Sequence, residues 1–370
     1  MDLYLNSDRS PSVDMNQYLY ECERLDASDM HMTESQNLVF RIDGALVEGN
    51  HFIPTGMILP LLEEFLNDSQ LERLEQSRNI DIAYSLDNGS RFRMNIYYEQ
   101  KHLAIATRRL DAQIKSLELL GLPKQLAKLP SLKDGLILVT GATGSGKSTT
   151  LACMINQINQ DRSCHILTIE DPIEYVYESV QAVIHQREVG VDVPSFADAI
   201  RAAMREDPDV ILLGEMRDKA TMRAALMAAE TGHLVFSTLH TNDAVGAIDR
   251  LIGAFPGDEQ DGVRAQLSMV LRAVITQSLL KSDESNGRIP VNEILMVNNA
   301  VSNLIRQRKP EQIRSIMETG QADGNQTLEH ALATLVSRKL LSVEQAKKHT
   351  QKKSSFEESL RIILSGMSKA

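Results

Sequence analysis

The sequence contains no stretch of eighteen apolar residues and no signal-like N-terminus, so neither a membrane-spanning helix nor an exported product is expected, and the expected compartment is the cytoplasm. Cysteine is scarce. Cys22, Cys153 and Cys164 are odd in number, form no C-x-x-C pair and sit in apolar or strand-edge contexts, so a disulfide framework and a structural zinc are not expected and the three read as small core residues. Positive charge is in deficit: 39 Lys and Arg face 50 Asp and Glu, a net charge of −11. That balance supplies no global attraction to nucleic acid or to an anionic membrane surface; only a local basic patch would. Internal repeats and low-complexity tracts are also lacking.

What is present is a chain of 370 residues with an ordinary hydrophobic share of 42%, a length that suits two domains, one about twice the size of the other. Residues 1–14 are polar and aperiodic and read as a flexible lead-in. Residues 15–112 read as a small α+β domain. Strand-like segments at Leu38–Ile42, Ile80–Tyr84, Phe92–Tyr98 and Leu103–Thr107 surround one helical pattern, TGMILPLLEEFLNDSQLERLEQ, with the turn signals Asp43-Gly44 and Asn88-Gly89 between strands. Residues 113–134, with Pro123 and Pro130, read as a linker carrying a short helix. From 135 to 298 the texture becomes regular. Strands at Leu136–Thr140, His165–Ile169, Val210–Leu213 and Leu234–Thr238 are apolar throughout and separated by helical patterns, which predicts a parallel sheet buried on both faces. Residues 299–370 read as helical, broken at 320–325.

Gly141 to Ser148, GATGSGKS, fits G-x-x-x-x-G-K-[ST] between a strand and a helix. Bare agreement occurs by chance in roughly one or two chains in a hundred of this length, and the strand and helix around it make chance rarer still. In such a loop backbone N–H groups and the helix N-terminus meet phosphates, the lysine reaches the outer oxygens and the serine hydroxyl can ligate Mg²⁺. Gly141, Thr143, Gly144, Ser145, Gly146, Lys147, Ser148 and Thr149 are therefore the cofactor-binding candidates.

Hydrolysis needs more than a cradle. The strand HILTIEDPIEYV delivers Glu170, Asp171 and Glu174 beyond its end, and DPDVILLGEMRD delivers Glu215 and Asp218 beyond the next. The carboxyl ends of parallel strands form the ligand crevice, so both groups are expected to face the phosphates. Gly214 stands where an Asp often precedes this glutamate, which leaves metal or water work to Glu215. Helix capping is the competing reading for Asp171 and Asp218. His233 and His240 bracket a strand, which sets His240 and Thr241 at the crevice end as γ-phosphate sensors, with plain packing as the alternative.

From about Asn16 onward the chain resembles the PilT-type ATPases that power type IV pilus retraction, within the secretion ATPase superfamily. The resemblance lies in ASDMHM (27–32), RFRMN (91–95), the Walker A loop GATGSGKST, the Asp box HILTIEDPIE, QREVG (186–190), the Walker B region REDPDVILLGEMRD and the His box AAETGHLVFSTLHTND. It implies a PAS-like N-terminal domain, a RecA-like P-loop core with a mainly parallel sheet, and a homohexameric ring that binds ATP and Mg²⁺ between the two domains. It also implies an inner-membrane platform protein as partner, at the inner face of the cytoplasmic membrane. By position it assigns the nucleotide lysine to Lys147, the Asp-box glutamate to Glu174, the Walker B glutamate to Glu215, the His-box pair to His233 and His240, and γ-phosphate arginines to Arg91, Arg93 and Arg108, beside the metal contacts that the loop and the strand end already offer at Ser148 and Glu215. Read without the resemblance, Arg91 and Arg93 are an exposed strand face.

One stretch departs from the pattern. Where PilT proteins carry AIRNLIRE, this chain has AVSNLIRQ, with Ser302 and Gln307 at the changed positions. The main retraction motor and an accessory PilU-type ATPase working beside a sister motor therefore both stay open. The cysteine count disfavours the longer assembly ATPases with a tetracysteine zinc site. A nucleotide-gated adaptor and a nucleic-acid motor are the rivals from other classes, the latter disfavoured by the acidic balance.

Overall fold

The computed structural model describes residues 14–110, 113–283 and 287–367, and the chain divides into two compact units between Gln113 and Ile114. Of the expected lead-in, residues 1–13 lie outside the described residues.

The first unit begins with α1 (Met15–Arg24), whose N-terminus is capped by the Asp14 carboxylate accepting from Asn16 N at 3.0 Å. Six antiparallel strands follow: β1 (Asp29–Thr33), β2 (Gln36–Ile42), β3 (Ala45–Ile53), β4 (Asn79–Ser85), β5 (Arg91–Glu99) and β6 (His102–Leu110), in spatial order β3-β2-β1-β6-β5-β4. Strict alternation explains which face packs: Phe92, Met94 and Ile96 of β5 are buried with Ile80 and Ile82 of β4 and Leu38 and Phe40 of β2. The two turns that the sequence marks are present, with positive φ at Asp43, Gly44 and Gly89. The single helical run expected after residue 55 is instead two helices, α2 (Ile58–Glu63) and α3 (Asp68–Ser77). Asn67 breaks it by forming a reciprocal capping box with Gln70, so a new helix starts there.

The second unit opens with a 3-10 helix over Lys124–Ser131 and is built on a seven-stranded sheet. Its strands are β7 (Gly135–Thr140), β8 (His165–Glu170), β9 (Val183–Glu188), β10 (Val210–Leu213), β11 (Leu234–Leu239), β12 (Leu271–Lys281) and β13 (Arg288–Met296), in the order β13-β12-β7-β11-β10-β8-β9. All neighbours are parallel except the β12–β13 hairpin. β7, β10 and β11 are buried along their whole length, because helices cover both faces. On one side α4 (Lys147–Asp161) packs with the 3-10 helix. On the other lie α5 (Phe196–Ala203), α6 (Lys219–Glu230), α7 (Ala244–Gly253) and α8 (Gln260–Val270). Gly232, φ +101°, follows α6 as a left-handed cap.

The region after Asn299 is helical: α9 (Asn299–Arg306), α10 (Ile313–Thr319), α11 (Leu328–Ser337), α12 (Val343–His349) and α13 (Lys353–Met367), with the break at Gly324. One buried carboxylate ties these helices together. Glu329 accepts from Arg314 Nη2 at 3.0 Å, Lys352 N at 3.2 Å and Thr350 Oγ1 at 3.4 Å.

Candidate active site

The loop after β7 has the backbone its glycines permit. Gly141, Gly144 and Gly146 have φ of 140°, 78° and 84°, a region that L side chains rarely enter. Gly146 is the N-cap of α4, so the helix N-terminus opens directly onto the loop. Lys147 Nζ donates to the carbonyls of Gly141 (2.9 Å) and Ala142 (3.0 Å). Burial pushes the Lys147 pKa down while the Glu215 and Glu174 carboxylates pull it up, which puts both acids within electrostatic reach of this amine. Thr143, Gly144 and Ser148 are exposed, whereas Ser145 is buried. The Thr149 hydroxyl lies 3.0 Å from that of Tyr175 in the Asp-box loop.

Glu170 is the last residue of β8 rather than lying beyond it, and it is buried. It accepts from Thr168 Oγ1 at 2.7 Å and Gln186 Nε2 at 3.3 Å, and burial pushes its pKa up to about 7. The loop that carries Glu215 is pinned at both sides: Gly214 N donates to Ile169 O, Thr238 Oγ1 donates to Gly214 O at 2.7 Å, and Met216 N donates to Thr238 O. Glu215 is paired with Arg217 at 2.5 Å, and its other oxygen is 3.6 Å from His240 Nε2. Asp218 is a helix cap, accepting from Thr221 N and Oγ1 at the start of α6. The Thr241 hydroxyl is buried with no hydrogen-bond partner among the described residues.

Lys147, Glu174, Glu215 and His240 thus gather at one end of the sheet. His233 does not join them. It precedes β11, where its Nδ1 lies 2.9 Å from Ala228 O and its carbonyl accepts from Gly135 N at the opening of β7. The three arginines belong to the first unit. Arg91 starts β5 and is buried, unlike the exposed face expected for it, while Arg93 is half-buried and pairs with Asp81 at 3.6 Å. Arg108, opposite Arg93 on β6, donates to Asp29 at 2.8 Å. Cys22 and Cys153 are buried thiols, their pKa pushed up to about 11, and all three cysteines are free.

The sequence left the role of one motif unread and missed one residue altogether. In QREVG, Gln186 donates to Tyr175 O and accepts from Tyr177 N, and Glu188 accepts from Ile173 N, so that motif braces the Asp-box loop. Gln277 of β12 sits against the phosphate loop, donating to Ser145 O at 2.7 Å; a lone Gln in an apolar run carries no local signal.

The profile of the family described as "Type II/IV secretion system protein" matches residues 6–368. A twitching motility protein of Neisseria gonorrhoeae is 47% identical over 296 residues, 80% of this chain and 79% of the relative. The type IV pilus retraction ATPase PilT of Pseudomonas aeruginosa is 40% identical over 338 residues, 90% of this chain and 97% of the relative. A crystal structure of the pilus retraction motor PilT with bound ADP superposes with a TM-score of 0.86 at 42% identity, covering 94% of this chain and 99% of that one. The strand-end carboxylates, the phosphate loop and these likenesses agree, and the chain belongs to the type II/IV secretion system family, in its PilT-like branch, and is an ATPase.

Proposed function

We propose that the chain is the subunit of a homohexameric motor whose Mg²⁺-dependent ATP hydrolysis retracts a type IV pilus, working at the inner face of the cytoplasmic membrane on an inner-membrane platform protein. The observation that carries the reading is the gathering of Lys147, Glu174, Glu215 and His240 at the carboxyl end of the parallel sheet. Among the described residues no helix is long and apolar enough to cross a membrane.

The residue chemistry suits the reaction. Gly141 to Thr149 present backbone donors to phosphate, and Lys147 exchanges its two loop carbonyls for phosphate oxygens. The exposed Ser148 hydroxyl and the Glu215 carboxylate are hard oxygen donors that would hold Mg²⁺, which supplies charge neutralisation on the phosphates. Glu215 or Glu174 polarises the attacking water, and His240, beside Glu215, reads the γ-phosphate. For Arg93 or Arg108 to act on phosphate, each exchanges its present carboxylate, Asp81 or Asp29, for the ligand.

The test is retraction in living cells. Delete the gene, restore it as wild type or Lys147→Ala, and follow labelled pili. Pili that extend but withdraw only with the wild-type gene support the motor; normal withdrawal in the deletion strain removes it. The accessory reading keeps one observation in its favour. In α9 Val301 and Ile305 are packed inward, but Gln307, one of the two departures from the retraction motif, is exposed and so available to a sister ATPase. Retraction that fails only under load would favour that reading.

A further inference from the structure

Gln277 lies on the strand next to β7, is 2% exposed, and uses its carboxamide in three directions. Its Nε2 donates to Ser145 O at 2.7 Å. Its Oε1 accepts from Thr150 Oγ1 at 2.8 Å, in the first turn of α4, and from Asn292 Nδ2 at 3.0 Å, on β13. Thr150 and Asn292 are each 1% exposed, so water competes for none of these bonds. Two glycines of the loop are shaped around this residue: a Cβ on Gly146 would come within 2.8 Å of Gln277 Nε2, and one on Gly141 within 2.2 Å of the Gln277 carbonyl.

The peptide linking Ser145 to Gly146 is planar, so its C=O and N–H point in opposite directions. Holding the Ser145 carbonyl toward β12 therefore turns the Gly146 N–H the other way, away from that strand. Gly146, at φ 84°, has no side chain to resist a flip of that peptide. A flipped peptide would aim a carbonyl oxygen at an anion in place of a donor. We propose that Gln277 is a positioning residue for the phosphate loop: its carboxamide, oriented by Thr150 and Asn292, keeps the Ser145–Gly146 peptide in the orientation that binds phosphate. The proposal rests on the reading of residues 141–149 as the nucleotide cradle. Such a residue acts equally on bound substrate and transition state, so its loss raises KM for ATP with kcat at saturation nearly unchanged.

The test uses the purified full chain and a fluorescent ADP analogue, titrated at pH about 6 and about 8.5, beside thermal denaturation. In Gln277→Glu a buried carboxyl that keeps its proton can still donate to Ser145 O, whereas the carboxylate sets oxygen against oxygen. The expected result is affinity close to wild type at the lower pH and about tenfold weaker at the higher, a divergence that wild type does not share. Thr150→Val, which removes one of the two donors to Oε1, is expected to weaken binding several-fold, with Thr150→Ser restoring it; this pair decides the matter should the glutamate variant fail to fold. Wild-type affinity in Gln277→Glu at both pH values, or lowered thermal stability with affinity intact in Thr150→Val, would overturn the proposal. Lys147→Ala runs in parallel. If it binds the analogue as well as wild type does, the cradle reading itself fails; if it loses binding while the Gln277 and Thr150 variants bind normally, only the positioning role fails.

Discussion

The two ends of the seven-stranded sheet hold similar side chains in opposite states. At the amino end polar groups close on one another. His165 Nδ1 lies 3.1 Å from Asp207 O and its Nε2 2.9 Å from His185 Nδ1, its backbone N donates to Asp209, and His233 contacts Ala228 O. At the carboxyl end the groups are only provisionally paired. Lys147 leans on two loop carbonyls, His240 stands half-exposed at 3.6 Å from Glu215, and the buried Thr241 hydroxyl has no partner among the described residues. A polar group satisfied within the fold gains little from a ligand, whereas one held by weak or replaceable partners has free energy to gain. Two histidines on either side of one strand therefore differ in prospect because of their neighbours, not their chemistry.

The largest way to break this contrast is at Lys147. Lys147→Ala is expected to lower ATP turnover by about a hundredfold to a thousandfold, measured as phosphate release; turnover near wild type would mean the carboxyl end is not the chemical end. Glu215→Gln is expected to cost about a hundredfold while nucleotide still binds.

Next comes Glu170, whose carboxyl is buried at the same end. A carboxyl with a raised folded-state pKa binds its proton more tightly in the folded chain than in the unfolded one, so its contribution is fully present below the ordinary value of 4.5 and is lost as pH rises through about 7. The full swing is about 3 kcal/mol. Glu170→Gln keeps an oxygen for Thr168 and Gln186 and is expected to flatten the decline of thermal stability between those pH values. An unchanged profile would assign the decline to other groups.

The histidine pair sharpens the contrast. His240→Ala is expected to reduce turnover about tenfold, the scale of one lost charged hydrogen bond, and His233→Ala by less, in parallel assays of one preparation. The reverse order would bring the amino end into the reaction. The smallest effect is expected at Asp218, where alanine removes a helix cap worth about 1 kcal/mol. Chemical denaturation should register it, with KM for ATP almost unmoved.

Much of this was legible in the sequence because the signals are local. Apolar strands without alternation announced the parallel core, and α6 is one of the helices expected between them. The glycine-lysine loop announced its own backbone. Legibility failed where the signal is carried by partners distant in sequence. β9 is an edge strand reading VIHQRE, too polar to stand out, yet its Gln186 and Glu188 brace the Asp-box loop. β3 is exposed along most of its length and so lacks the alternation that burial imposes. The β12–β13 hairpin carries Gln277 and Asn292 among apolar neighbours, where nothing nearby reports that the Gln277 amide, held by that of Asn292, meets a loop more than a hundred residues earlier. The site departed from expectation at Arg91, which is buried because β5 begins inside the first unit's sheet, and at Glu170, which ends β8 instead of lying beyond it; His233 stands at the other end of its strand from His240, as the bracketing of that strand implied.

The bond from Gln277 to Ser145 spans 132 residues, and the one from Thr150 to Gln277 spans 127. On the ribosome, all residues of the phosphate loop have been synthesised long before its anchor. A nascent chain that has emerged only through α4 carries the loop without the amide that holds it, so nucleotide affinity is expected to rise about tenfold once β12 has joined the sheet. A step in nucleotide affinity would then report that β12 has joined the sheet, and an ATP-agarose pull-down of stalled chains of increasing length would mark that point near the β12–β13 hairpin.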